Sequence, residues 1–343
     1  MQINTRPISF VLQYLQVIIF STIILYVGKT LFIPLFFGLL IAIIMHPICK
    51  WFEAHGWSRA FAIAACILIV TILFTSLLAI LVWQIRLFSE DAPEIFNKLE
   101  TLLQQFQAWM IDNFGSTIDL QNNWSGKITN TIGDILKSTV QTTINTLFIL
   151  FLIPVYTALF MYHRKVFVQY LKSITPPTHQ QQLDAILQQT INTYFNYIIG
   201  MIWVYLIVGM LNSIGLLALG VKHPFLFGML CAIMTIIPYI GLFVSALLPI
   251  SVVWMETGNI WYPLGVIAVF SFVQYLEANV IFPKAVGTQL HVSTFSMLVA
   301  IVAGGIIWGV AGMILFIPFV AILKIISDHI EEWKPVNLLL SRK

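Results

Sequence analysis

Near the end of one apolar run, Gln274-Tyr275-Leu276-Glu277-Ala278-Asn279 and the following Pro283-Lys284 gather polar chemistry in a sequence that has little of it. A carboxylate inside a membrane helix costs at least ~2.5 to 3.5 kcal/mol, so it is found facing a pathway or a partner. Gln274 and Glu277 stand at i and i+3 and can share a helix face. With Asn279 they place acceptors and donors side by side, suited to a small polar solute or to an exchangeable proton. The bland alternative is a helix-end Glu277 that reaches interfacial water or pairs with Lys284.

A second group is Thr235, Pro238-Tyr239-Ile240-Gly241 and Ser245. At a hairpin tip these residues would offer backbone carbonyls and amides to an ion or solute. In a merely kinked helix, Thr235 and Ser245 would bond back onto their own backbone instead. The third group is Gly304-Gly305 with Gly309 and Gly312, where small residues permit close helix contact and packing accounts for the last two. Asn212 and Ser213 read as interhelical hydrogen bonds. Cys49, Cys66 and Cys231 lie in or beside apolar runs without CxxC spacing or a paired His, and read as small core residues rather than a metal or redox site. No HExxH, GxSxG or GxxxxGK[ST] pattern occurs, so neither an enzyme nor an ATP-driven machine is expected, and no cofactor or metal.

The elements that must position these groups follow from composition. Of 343 residues, 59% are apolar and only 9% are Asp, Glu, Lys or Arg, against roughly 25% charged in a soluble domain. That balance, with a mean hydropathy of +0.92, excludes a soluble enzyme, a disordered chain and a disulfide scaffold. It predicts an all-α polytopic membrane protein. A net charge of +3 without a basic run excludes nucleic acid as a partner; the lipid bilayer is the expected surrounding.

Runs long enough to cross the hydrocarbon layer as helices of ~20 residues fall at about 9 to 27, 31 to 48, 60 to 85, 141 to 162, 193 to 219 and 260 to 282. The first has no small-residue cleavage site after it and reads as a retained helix. Two further stretches, 224 to 255 and 294 to 326, are too long for one crossing. Their central breakers, Pro238 to Gly241 and Gly304-Gly305, predict re-entrant or broken hairpins, with long kinked helices as the alternative. About eight membrane segments result.

Lys50 and Arg59 in one short loop, Arg164, Lys165 and Lys172 in another, and Lys334, Arg342 and Lys343 at the end place these positions, and both termini, on the cytoplasmic side. The 86 to 140 segment then lies outside. Apolar residues at helical spacing from Ile95 to Met110 and from Trp124 to Leu136 predict two amphipathic helices there, with a turn around Gly115. Pro176-Pro177 followed by Thr178 and Gln181 predicts a capped cytoplasmic connector helix through about Asn192. The organisation expected is three spans (1–85), the external helices (86–140), a fourth span with its connector (141–192) and a C-terminal transport repeat (193–343).

Sliding 223–250 onto 291–318 aligns His223 with His291, Met229-Leu230 with Met297-Leu298, Ala232-Ile233 with Ala300-Ile301, Gly241 with Gly309, and Leu247 with Leu315. Two such helix-plus-hairpin units entered from opposite faces would form an inverted repeat, the arrangement on which secondary transporters build a binding site.

In Pro238-Tyr239-Ile240-Gly241, in Glu277-Ala278-Asn279 with Pro283 and Gly287, and in Gly304-Gly305 followed by Trp308-Gly309-Val310-Ala311-Gly312-Met313 and Pro318, the chain resembles the autoinducer-2 exporter family of PerM-like permeases. The likeness extends to the layout of the whole chain. Leu290-His291-Val292 departs from it, since the family commonly has a proline after the leucine-polar pair. The resemblance implies a transporter of the bacterial cytoplasmic membrane without ATP-binding domains, assembled as a homo-oligomer, a pentamer. Members are associated with export of autoinducer-2, and others with sodium/proton antiport.

The expected function is a secondary transporter or facilitator that exports a small polar, autoinducer-2-like solute or exchanges ions. Alternatives are a sodium/proton antiporter using Glu277 and a non-transporting membrane scaffold. The pathway residues expected are Glu277, Gln274, Asn279, Pro238, Tyr239, Gly241, Thr235, Ser245, Gly304 and Gly305.

Overall fold

The computed structural model of the chain describes residues 6–76, 79–80, 83, 151–236, 240–286 and 292–341. Within them the elements are helical, apart from an isolated antiparallel bridge between Val292 and Ser341. They are α1 (Arg6–Val27), α2 (Lys29–Ala54), α3 (Arg59–Ser76), α4 (151–174), α5 (Gln180–Ala218), α6 (Pro224–Met234), α7 (Ile240–Thr257), α8 (Trp261–Leu276), α9 (Phe282–Ala285), α10 (Thr294–Trp308), α11 (Val310–His329) and α12 (Lys334–Leu340). Among the described residues, five stretches are long and apolar enough to cross a membrane: Lys29–Ala54, Arg59–Ser76, Pro177–Ala218, Trp261–Ala285 and Val310–His329. Large apolar side chains such as Phe61, Trp203, Phe243 and Ile306 stand exposed on these helices and their neighbours. Hydrocarbon, not water, suits that surface. The protein is therefore an all-α polytopic membrane protein, as its composition requires. The expected external helices of 86–140 lie outside the described residues.

The chain packs as two compact units. The first comprises Met1–Leu68, Ile149–Ile198 and Thr288–Lys343. Lipid tails give helices no hydrophobic reason to associate, so close backbone approach must hold them. Gly38 on α2 supplies one such approach: a Cβ there would sit 2.6 Å from the Cβ of Tyr156 on α4, and the Thr157 hydroxyl lies 3.3 Å from the Gly38 carbonyl. Tyr194 of α5 is fully buried with Val292 and Ala321, and its hydroxyl donates to the Pro318 carbonyl inside α11.

Helices α10 and α11 fold back on each other as a tight hairpin. The break falls at Gly309 (φ +61°, ψ −141°), a conformation that residues with a Cβ rarely adopt. Gly304-Gly305, the expected breaker, lies inside α10 and leaves that helix intact. Its glycines admit the facing helix: Gly304 meets the backbone of Gly312 and Gly305 meets the Met313 side chain. A short α12 closes the far end, with its Leu339 carbonyl accepting from Ser293 and Ser296.

The second unit comprises Ile69–Phe148 and Ile199–Gly287. Its core gathers Leu216, Phe227, Cys231, Val253, Val266 and Phe270 from α5 to α8. Gly228 brings α6 against α5, where a Cβ would fall 2.2 Å from the Ser213 hydroxyl oxygen. Helices α6 and α7 form the second hairpin. The expected break holds, since α6 ends at Met234 and α7 starts at Ile240; Gly241 so closely abuts the Met234 carbonyl that a Cβ would lie 1.6 Å from that oxygen.

Three boundaries differ from expectation. The connector helix and the span after it are one 39-residue helix, α5, about 58 Å long at 1.5 Å per residue. No proline interrupts that stretch, so nothing stops the hydrogen-bond ladder. The expected capping box is absent, because a 3-10 turn at Pro177–His179 starts the helix with no side-chain cap. The fourth span continues as α4 to residue 174, so Arg164, Lys165 and Lys172 sit on a helix instead of in a loop.

Candidate functional site

The site is built where α8 stops being an α-helix. Pro283 has no N–H, and its ring crowds the carbonyl four residues earlier, which weakens the regular helical ladder at this point. The chain widens instead into a π turn over Glu277–Ile281, in which the Phe282 amide donates to the Glu277 carbonyl five residues back. Such turns add a residue to the helix and redirect its side chains, frequently at functional sites.

Glu277, at the head of this turn, is half-buried. Its Oε2 is shut off from solvent and has no hydrogen-bond partner. The carboxylate lies close enough to Cys231 on α6 to act on it electrostatically, and the Ser245 hydroxyl of α7 bonds the same thiol. From α5, the Asn212 amide nitrogen reaches the Cys231 sulfur at 3.6 Å, while the Asn212 Oδ1 is buried without a partner. Asn212, Cys231 and Ser245, from three helices, meet at the thiol, and Glu277 lies within electrostatic range of it.

A buried acceptor left unpaired costs about 1 to 3 kcal/mol, and more if charged. Two acceptors in this state mark a place where a proton, a cation or the donors of a polar solute would be held. Among the described residues no three His, Cys, Asp or Glu side chains gather as a metal site.

The remaining expected site residues are placed as follows. Gln274 is half-buried one turn before Glu277. Asn279 is exposed and spends its amide on the Tyr275 carbonyl of its own helix at 2.9 Å. Thr235 likewise bonds back to the Ala232 carbonyl at 2.6 Å. Gly241 shapes the hairpin backbone. Pro238 and Tyr239 lie outside the described residues. Gly304 and Gly305 belong to the first unit, as helix-packing positions within α10.

The sequence reads Asn212 as an interhelical hydrogen bond, which its contact with Cys231 bears out, and Cys231 as a small core residue; neither was expected at the site. Ser213 bonds back to the Gly209 carbonyl of its own helix instead of across helices. The available signal was an asparagine inside a long apolar run, the same cost argument that singled out Glu277.

The fold and this site define a multi-pass helical membrane protein with an enclosed polar cluster beside a broken helix. The model of the AI-2E family transporters matches residues 15–332. The chain belongs to that family, and so to a bacterial transporter family. It is 25% identical to the transport-named protein YrrI of Bacillus subtilis over 318 residues, 88% of this chain and 87% of that one. It is 24% identical to the AI-2 transport protein TqsA of Escherichia coli over 324 residues, 90% of this chain and 89% of TqsA.

Proposed function

We propose that the protein is a secondary transporter or facilitator that moves a small polar solute across the bacterial cytoplasmic membrane, with the cluster around Glu277 in its pathway. The observation that carries this is the Glu277 Oε2, buried and unpaired at a π turn inside an otherwise apolar span. Membership of a transporter family supports the class of activity. The name of TqsA, an AI-2 transport protein, supports an autoinducer-2-like signal as the solute to test first; export is the direction we propose for it. In this reading Glu277 and Gln274 contact the solute, Asn212 and Ser245 complete the site, and Asn279, Thr235, Pro238, Tyr239 and Gly241 hold the backbone that frames it. Gly304 and Gly305 hold the other hairpin together.

A second reading is sodium/proton exchange with Glu277 as the titrating acid, favoured by the absence of any donor on its Oε2. Proteoliposomes assayed for solute uptake and for sodium-driven proton movement separate the two. A properly assembled protein that moves neither would be a membrane scaffold.

The chain is further proposed to work as a homo-oligomer, a pentamer, with both termini cytoplasmic and the 86–140 segment contacting a neighbouring subunit. Cysteines at Leu99 and Phe106 should then give inter-subunit crosslinks in lipid. A monomer under those conditions refutes the assembly.

A further inference from the structure

The first unit carries a basic and aromatic corner that the transport reading does not use. It lies where α2 ends and α3 begins, across the short turn His55–Ser58, and against α4. Both α2 and α3 are long enough to cross the membrane, so the turn between them falls at headgroup level.

Four cations stand here: Lys50, Arg59, Arg164 and Lys165. Arg164 is consumed internally, donating through Nη2 to Glu53 at 2.7 Å and through Nη1 to the Cys49 sulfur at 3.7 Å. That leaves Lys50 and Lys165, both exposed, and Arg59 as net positive charge. Arg59 is fixed in place. Its Nη2 donates to the Met161 carbonyl at 3.1 Å and to the Tyr162 carbonyl, and the guanidinium lies 5.5 Å from the Tyr162 ring centroid. Its Nε has no acceptor. That Nε is buried, so what Arg59 offers an anion at the surface is a guanidinium charge fixed in position.

The rim points to the source of that anion. Trp51, Trp57 and Tyr162 are each about half exposed (57%, 48% and 55%), and Phe61 beyond them is 70% exposed. Tryptophan and tyrosine favour the interface between headgroups and hydrocarbon, and an apolar surface running on from a basic patch suits acyl chains. A soluble anion would need the charge but not the aromatic rim.

We propose that this corner binds the phosphate headgroup of an anionic phospholipid, with Lys50, Arg59 and Lys165 supplying the charge and Trp51, Trp57 and Tyr162 flanking the lipid. The test uses the full-length protein in phosphatidylcholine nanodiscs containing spin-labelled phosphatidylglycerol, with the protein-bound fraction read by electron spin resonance. Each exposed lysine near an anionic headgroup contributes about fivefold to affinity. Lys50→Gln/Lys165→Gln should therefore release the labelled lipid, as should high salt, while thermal melting in pure phosphatidylcholine stays unchanged. These two side chains are on the surface, so their replacement leaves the fold intact even if Arg59→Gln does not. Equal lipid retention by wild type and the double variant would overturn the proposal. So would displacement of the label by soluble glycerol phosphate as effectively as by unlabelled phosphatidylglycerol, which would mean a site for soluble anions.

Discussion

Gly304 and Gly312 meet backbone to backbone across the α10–α11 hairpin: a Cβ on the first would lie 2.4 Å from the carbonyl oxygen of the second, and a Cβ on the second 2.0 Å from that of the first. Neither backbone can yield without parting the helices. Gly304→Ala and Gly312→Ala should each lower the melting temperature in detergent, at about 1 to 3 kcal/mol, the usual cost of overpacking. Gly305→Ala meets only the flexible end of Met313 and should cost less. A Gly305→Ala variant as damaged as Gly304→Ala would contradict this account of the hairpin.

The hairpin of the second unit depends on Gly241 in the same way. With a Cβ only 1.6 Å from the Met234 carbonyl oxygen, Gly241→Ala should prevent α6 and α7 from closing. Size-exclusion profiles of the expressed variant should show aggregation, whereas Gly305→Ala, whose added Cβ meets only the flexible end of Met313, should elute normally. A monodisperse and thermally unaltered Gly241→Ala would contradict the geometry.

Pro283 is the physical cause assigned to the π turn. Pro283→Ala restores the missing N–H, allows a regular α-helix and rotates Glu277 away from Cys231. Flux should fall severalfold while stability is kept or raised, since helix interiors favour alanine over proline by about 3 kcal/mol. Parallel flux and melting measurements check this; full flux in a stable variant would detach the π turn from function.

Glu53 and Arg164 join α2 to α4 with side chains only 25% and 18% exposed. Removing one partner strands the other, so Arg164→Gln should destabilise by about 1 to 3 kcal/mol. Adding Glu53→Gln should recover part of the loss. A melting-temperature double-mutant cycle with no coupling would show that the pair is only solvated charge.

Much of this architecture was legible because the bilayer restricts what a sequence can do. Composition required helices, and a run as long as 224–255 with Pro238 at its middle had to break. The second break was misplaced, because a glycine pair inside a helix weakens it only when nothing packs there. Gly304 and Gly305 have Gly312 and Met313 against them, and the turn fell to Gly309, whose positive φ has no local sequence signature. Gly309 is the turn between α10 and α11, whereas the aligned Gly241 is the second residue of α7. At the site, Glu277 stood out by its desolvation cost, but its partners did not. Asn212 and Cys231 lie 65 and 46 positions away in sequence, and only the packing of α5 and α6 brings them near. Pro283 was visible, yet its effect on the preceding turn depends on the helix continuing past it.

The most direct test of the central claim is flux through Glu277→Gln in proteoliposomes, with oligomeric state and melting temperature measured on the same preparation. The amide keeps the size of the side chain and removes its ionisation. Flux should fall by roughly tenfold or more, the scale of losing one interaction with a charged group, while assembly and stability stay unchanged. If the protein exchanges protons, the pH dependence of transport should vanish as well. Unchanged flux with an unchanged pH profile in a folded Glu277→Gln variant would contradict the account and reduce Glu277 to an interfacial anchor.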